Sequence, residues 1–243
     1  MFRPPRFTAF FITLAALSVA ASATAQTTAA QPAPFLVTYE VVFRGINAGT
    51  STLELTRENG DRWRYVSRNK ARGLFRLALP GEVRQTSLLT IDSEGVRPLR
   101  YVADDGTDST DKDVRLDFDW SAGLIRGSAE KRPVELPLQR GLQDAMSVQI
   151  ALMQALMRGE SPRGYTLVDE DRIKEYIYAA EGKAQLRTVA GELDTVIWAS
   201  HRPNSDRVTR VWYAPSLGYL PVQAERRRGE KVEWSMRLES WRR

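Results

Sequence analysis

The chain has no cysteine and a single histidine among its 243 residues. Without cysteine there is no disulfide, no thiolate metal site, no cysteine nucleophile and no lipoprotein anchor. With His201 alone, an H-E-x-x-H zinc site cannot be built, and no serine sits in a G-x-S-x-G elbow. No long polar linker interrupts the middle of the chain, which favours one domain over two. Beyond residue 26 no apolar run approaches the length of a membrane-spanning helix, so the mature chain should hold no integral membrane segment.

What is present begins with an address. Arg3 and Arg6 precede an apolar run from Phe7 to Ala21, and Ala23, Thr24 and Ala25 form a small-residue exit. That is the three-part pattern of a secretory signal peptide over residues 1–25, and it implies a periplasmic or secreted protein. Residues 26–34 read as a flexible leader and 35–243 as a single β-rich domain. The net charge of +5 includes Arg3 and Arg6, and the remaining charges of both signs are interspersed. Nucleic acid is therefore not an expected partner.

From Phe35 onward the chain beats with period two, the spacing of a half-buried strand. Val37, Tyr39, Val41 and Phe43 form one row, and Val114, Leu116, Phe118 and Trp120 form the cleanest later one. Gly45 and Gly49 bracket an expected turn, Asn59-Gly60 is a hairpin signal, and Pro98 marks an edge or bulged strand because it cannot donate to a ladder. About a dozen strands at such spacing mean an all-β sandwich, barrel or rolled sheet.

One stretch breaks the beat. In Asp144–Gly159 the apolar residues recur at i, i+3, i+4 and i+7, and Met146, Ile150 and Met157 widen the stripe until little of the helix is polar. Asp144 can accept first-turn amides and Gly159 can supply a left-handed cap, so a helix over about 144–158 is expected. A single, nearly all-round apolar helix must be buried. The expected architecture is therefore an antiparallel sheet curved into an open or incomplete barrel, with that helix in its concavity.

Several patterns together resemble the exported bacterial family called domain of unknown function 3108. They are Tyr39-Glu40-Val41 followed by Gly45-Ile46-Asn47-Ala48-Gly49, then Asp144-Ala145-Met146-Ser147, then Val211-Trp212-Tyr213 followed by Leu220-Pro221-Val222. The resemblance spans residues 35–241 and implies a secreted domain with a strongly curved sheet. It carries over no activity, cofactor or catalytic residue.

The candidate sites read from the residues are few. The loop Asp104–Asp113 concentrates carboxylates, but its register does not fit an EF-hand, and a solvated hairpin loop is the plainer reading. Asp117 and Asp119 are a carboxylate pair of the kind glycosidases use, yet they alternate with Phe118 and fall on the wet face. His201 runs into a turn with no partner supplied by its neighbours. The run Arg226-Arg227-Arg228 offers cations to anionic lipid or glycan, or simply solvates a hairpin turn. Tryptophans on strands are core residues first, but Trp120 and Trp212, with Met146, Met153 and Met157 of the helix, also suit an adaptable apolar lining. The sequence thus points to a non-enzymatic carrier or binding module for an apolar or amphipathic envelope molecule, with no cofactor. An envelope assembly protein with a polypeptide partner is the alternative, and a carboxylate-dependent hydrolase a third.

Overall fold

The computed structural model describes residues 31–243, so the signal segment lies outside the described residues. Fourteen strands form one antiparallel sheet. They are β1 Phe35–Phe43, β2 Ile46–Arg57, β3 Arg62–Ala71, β4 Glu82–Asp92, β5 Gly95–Asp104, β6 Val114–Asp119, β7 Leu124–Ala129 and β8 Arg132–Pro137. After the helix α1, Ser147–Met157, follow β9 Gly164–Asp169, β10 Arg172–Thr188, β11 Gly191–His201, β12 Arg207–Ala214, β13 Leu220–Arg228 and β14 Lys231–Arg242.

The spatial order is β8-β7-β6-β5-β4-β3-β2-β1-β14-β13-β12-β11-β10-β9. Consecutive strands pair within β1–β8 and within β9–β14, and the two meanders meet where β1 lies beside β14. The sheet curls but does not close, because β8 and β9 are not paired with each other. Pro133 and Pro137 blunt the β8 edge, as a strand without a neighbour requires. The segment before α1 covers the β9 edge: the Gln143 amide donates to the Thr166 carbonyl and the Val168 amide to the Gln143 carbonyl, at 3.0 and 2.9 Å. Arg132 pairs with Asp171 at 3.0 Å across the same opening.

Alternation puts Val37, Tyr39, Leu53, Leu55, Tyr65, Leu89, Ile91, Leu116 and Ile125 on the concave face, where they are buried. The helix lies in that concavity with Ile150, Leu152 and Met153 in the same core cluster. Its start is fixed by Asp144, whose Oδ1 accepts from the amides of Met146 and Ser147, both at 2.7 Å. Its end is a Schellman turn: Gly159 has φ 72°, its amide donates to the Leu156 carbonyl, and the Glu160 amide donates to the Ala155 carbonyl.

One sequence expectation is corrected. Gly49 lies inside β2 rather than in a turn, and Arg44-Gly45 alone make the β1–β2 hairpin, both at positive φ. Of the two readings for Pro98, the bulged strand is the one found: β5 is interior, and the pairing with β4 slips between Arg100 and Pro98 and leaves Leu99 as the extra residue. β10 runs unbroken from Arg172 to Thr188 through a bulge at Glu181 that shifts the register with β11.

Candidate functional site

The concave face is not uniformly filled. Toward the β1–β2 hairpin the inward row continues beyond the helix as Val41 and Phe43, opposite Met236 and Trp234 of β14. Across β2 and β3 the floor is Gly49 beside Ala71, and a Cβ on Gly49 would stand 2.0 Å from the Lys70 carbonyl oxygen. The chain after β3 makes a short 3-10 turn at Gly73–Leu77, which lends Phe75 to the rim, and Leu79 follows it. The result is an apolar groove of about 410 Å³, open to solvent, with Phe43 and Leu79 37% and 43% exposed at its mouth.

A second hollow, of about 270 Å³, lies between the helix and the strands of the C-terminal meander. Val148, Gln149 and Leu152 face it from the helix, and Tyr178, Trp198, Tyr213 and Thr209 face it from the sheet. It is polar as well as apolar. Burial pushes the Tyr178 hydroxyl up to about 12, against a lowering hydrogen bond with Ser200. The Gln149 amide nitrogen is buried with no partner. Asp169 also lines the cleft and is neutralised by Lys174 at 2.6 Å.

Arg226 links the two hollows. It lines the cleft, donates through Nε to Thr209 Oγ1 at 3.1 Å, and lies over the Trp234 ring at 5.4 Å from the centroid. Among the described residues it has no carboxylate partner, whereas Arg227 pairs with Glu225 and Arg228 with Asp206. The run Arg226–Arg228 is therefore not one solvated turn: alternation sends Arg226 inward beside Trp234.

The residues singled out from the sequence are placed differently from that groove. Met146 and Met153 are in the core, 6% and 1% exposed, and face neither hollow. Met157 is half-buried against Gly218. The Trp120 indole N–H donates to the Pro98 carbonyl at 2.7 Å, and Trp212 shares a face with Ile197, opposite that of the buried Tyr213. None of the five lines either hollow. Of the residues not singled out, Phe43, Trp234 and Met236 carried one signal, the period-two rows of β1 and β14 continuing past the last core position, whereas Phe75, in the 3-10 turn, carried none.

The remaining candidates stay apart. Asp117 accepts from Arg100 at 2.5 Å and Asp119 caps the Ser121-Ala122 turn. His201 Nδ1 lies 3.0 Å from the Arg202 carbonyl oxygen. Carboxylate oxygens of Asp104, Asp105 and Asp113 come within 4.8 Å of one another, but those of Asp104 and Asp105 accept the Gly106 and Thr107 amides of their own loop. A larger depression of about 610 Å³ along Arg202–Arg207 is lined by exposed loop and charged residues, without an apolar wall.

An open antiparallel roll carrying one helix in its concavity, with an unfilled apolar groove at one end, defines an all-β, barrel-like protein. The chain belongs to the family described as Protein of unknown function (DUF3108), whose pattern matches residues 38–229. It is similar in fold to a solved β-barrel-like protein of domain of unknown function DUF1849 from Brucella abortus, at 12% identity and a TM-score of 0.54, over 87% of this chain and 98% of that one. A protein with a YmcC-like fold from Bacteroides fragilis aligns at 11% identity and a TM-score of 0.38, over 88% and 97% of the two chains. No curated protein matches the sequence. Among the described residues no helix is long and apolar enough to cross a membrane.

Proposed function

We propose that the protein is a non-enzymatic periplasmic binding or carrier module for an amphipathic molecule of the cell envelope. The reading rests on the open apolar groove between Phe43, Trp234 and Met236, on the concave side the helix leaves unfilled. An apolar chain in that groove removes the exposed faces of Phe43 and Leu79 from water, at about 25 cal/mol per Å² buried. Arg226, held over Trp234 without a carboxylate, gives the polar end of the ligand a cation to meet, which favours an anionic amphiphile over a neutral oil. The site expected from the sequence, between helix and sheet, is thus moved along the concavity toward the β1–β2 hairpin.

The test is titration with cis-parinaric acid, a fluorescent long-chain carboxylate. The wild-type protein should bind it with saturation, and Trp234→Ala and Met236→Asp should each weaken binding by roughly tenfold, the loss of about 1.4 kcal/mol or more of apolar contact. Saturable binding untouched by either substitution would place the ligand elsewhere, and no binding at all would remove the carrier reading.

A further inference from the structure

Residues 62–81 contain Arg62, Arg64, Arg68, Lys70, Arg72 and Arg76 and no carboxylate. The first three sit on β3, and Arg64 and Arg68 pair with Glu58 and Glu54. Lys70 pairs with Glu82. Arg72 and Arg76, with Arg44 of the neighbouring hairpin, make no ion pair among the described residues. These three cations are therefore left without an ion-pair partner among the described residues, although Glu82, paired with Lys70, lines the same depression as Arg72 and Arg76.

Between those cations the 3-10 turn presents its leucines to water. Leu74 is 82% exposed and Leu77 85%, and no residue of the turn is buried. Ile46, on the adjacent hairpin, is 62% exposed. A lone exposed leucine is ordinary, but three large aliphatic side chains on one ordered corner, ringed by unpaired arginines, are not. The corner is held firmly from behind. The Phe75 and Phe43 rings meet edge to face at 5.9 Å, and the Arg72 amide donates to the Ala48 carbonyl at 2.8 Å. The leucines are thus projected by a fixed base and do not hang from a loose loop.

An apolar tip and a cationic collar are what an anionic bilayer surface complements: acyl chains receive the leucines and phosphates receive the arginines, while Glu82 beside the turn is already paired with Lys70. We propose that the Gly73–Pro80 turn, with Ile46, is a membrane-docking element that inserts Leu74 and Leu77 into the interface of an anionic phospholipid bilayer, with Arg44, Arg72 and Arg76 on its phosphates. Phe75 and Leu79 of the same turn form the rim of the apolar groove, so a docked molecule presents the groove mouth to the lipid. The proposal stands on the exposed corner and does not require the groove to carry a ligand.

The experiment is co-sedimentation of the exported protein, purified without detergent, with vesicles of phosphatidylglycerol and, separately, of phosphatidylcholine. Wild type should partition onto phosphatidylglycerol and much less onto phosphatidylcholine, and added salt should weaken the binding. Leu74→Ser with Leu77→Ser should cost at least roughly tenfold in partitioning. Arg72→Gln and Arg76→Gln should each cost on the order of fivefold and flatten the salt dependence. Because all four side chains are exposed, circular dichroism and melting should match wild type. Wild type that ignores phosphatidylglycerol, or a leucine variant that partitions unchanged, overturns the proposal. So does self-association lost in the leucine variant without vesicle binding, which would assign the corner to a second copy. Parinaric acid titration of the same samples, without vesicles, separates the two readings. Uptake without vesicle binding removes the docking element alone, and leucine-dependent vesicle binding without uptake removes the groove reading alone.

Discussion

Arg226 and Trp234 stand opposite one another on β13 and β14, and the guanidinium lies over the indole at 5.4 Å. One face of the pair looks into a cleft of tyrosines and the other borders an apolar groove, so the pair marks a boundary between polar and apolar halves of the concavity. If that boundary reads the polar end of a ligand, Arg226→Met should weaken cis-parinaric acid binding by roughly tenfold, the scale of one charge-assisted hydrogen bond. The alcohol of the same chain length, measured by displacement of the probe, should compete equally against both proteins. Equal losses for acid and alcohol would show that the arginine acts through packing on Trp234.

Asp144 makes stability depend on pH. It is buried at the head of the helix and pushed up to about 6, chiefly by desolvation, although Ser87 Oγ donates to its Oδ2 at 2.6 Å and two amides hold its Oδ1. The folded state therefore keeps a proton that the unfolded state, near the ordinary value of 3.8, gives up. The contribution is fully present below about pH 4, is lost as pH rises to about 6, and is flat above, an order-of-magnitude span of about 3 kcal/mol. Asp144→Asn keeps the amide acceptors and can donate to Ser87, so its urea midpoint should lose that slope. A slope unchanged in the variant would assign it to another group.

Met153 tests the burial of the helix. It is 1% exposed, and Met153→Glu buries a carboxylate with no partner designed for it, at a cost of about 3–5 kcal/mol. Thermal unfolding followed by circular dichroism should show a large drop or no folded protein, whereas an unchanged melting curve would place the helix outside the sheet.

Gly49 tests the groove floor. At φ 145° and with the Lys70 carbonyl 2.0 Å from where a Cβ would stand, Gly49→Val must part β2 from β3. A loss of more than about 2 kcal/mol in urea unfolding is expected. Parinaric acid affinity should fall with it, since Gly49 lines the groove.

The strands and the helix were legible because their signals are local. Period two ran through β1 and β6, and the helix was announced by an acceptor at Asp144 and a left-handed glycine at Gly159. The site was not legible for a non-local reason. Trp234 becomes a groove wall only because β14 pairs with β1 and sets it opposite Phe43, a partner nearly the whole domain away in sequence. Met146, Met153 and Met157 line neither hollow, because a helix apolar all round says that it is buried, not which face meets a cavity. The face toward the cleft carries Val148, Gln149 and Leu152 instead. Arg226 was absorbed into a charge run whose neighbours do solvate, and only the pairing with Trp234 separates it from Arg227 and Arg228. The exposed Leu74 and Leu77 carried no period at all, though the carboxylate-free stretch around them was visible.

On the function proposed above, the concavity holds an amphipathic ligand in the Phe43, Trp234 and Met236 groove. Native mass spectrometry of the protein purified from its own envelope without detergent, followed by denaturing extraction of whatever is bound, addresses it most directly. A stoichiometric adduct of an anionic amphiphile, lost in Trp234→Ala, is the expected result. A wild-type protein that flies clean, and that takes up no long-chain carboxylate when offered one, would contradict it.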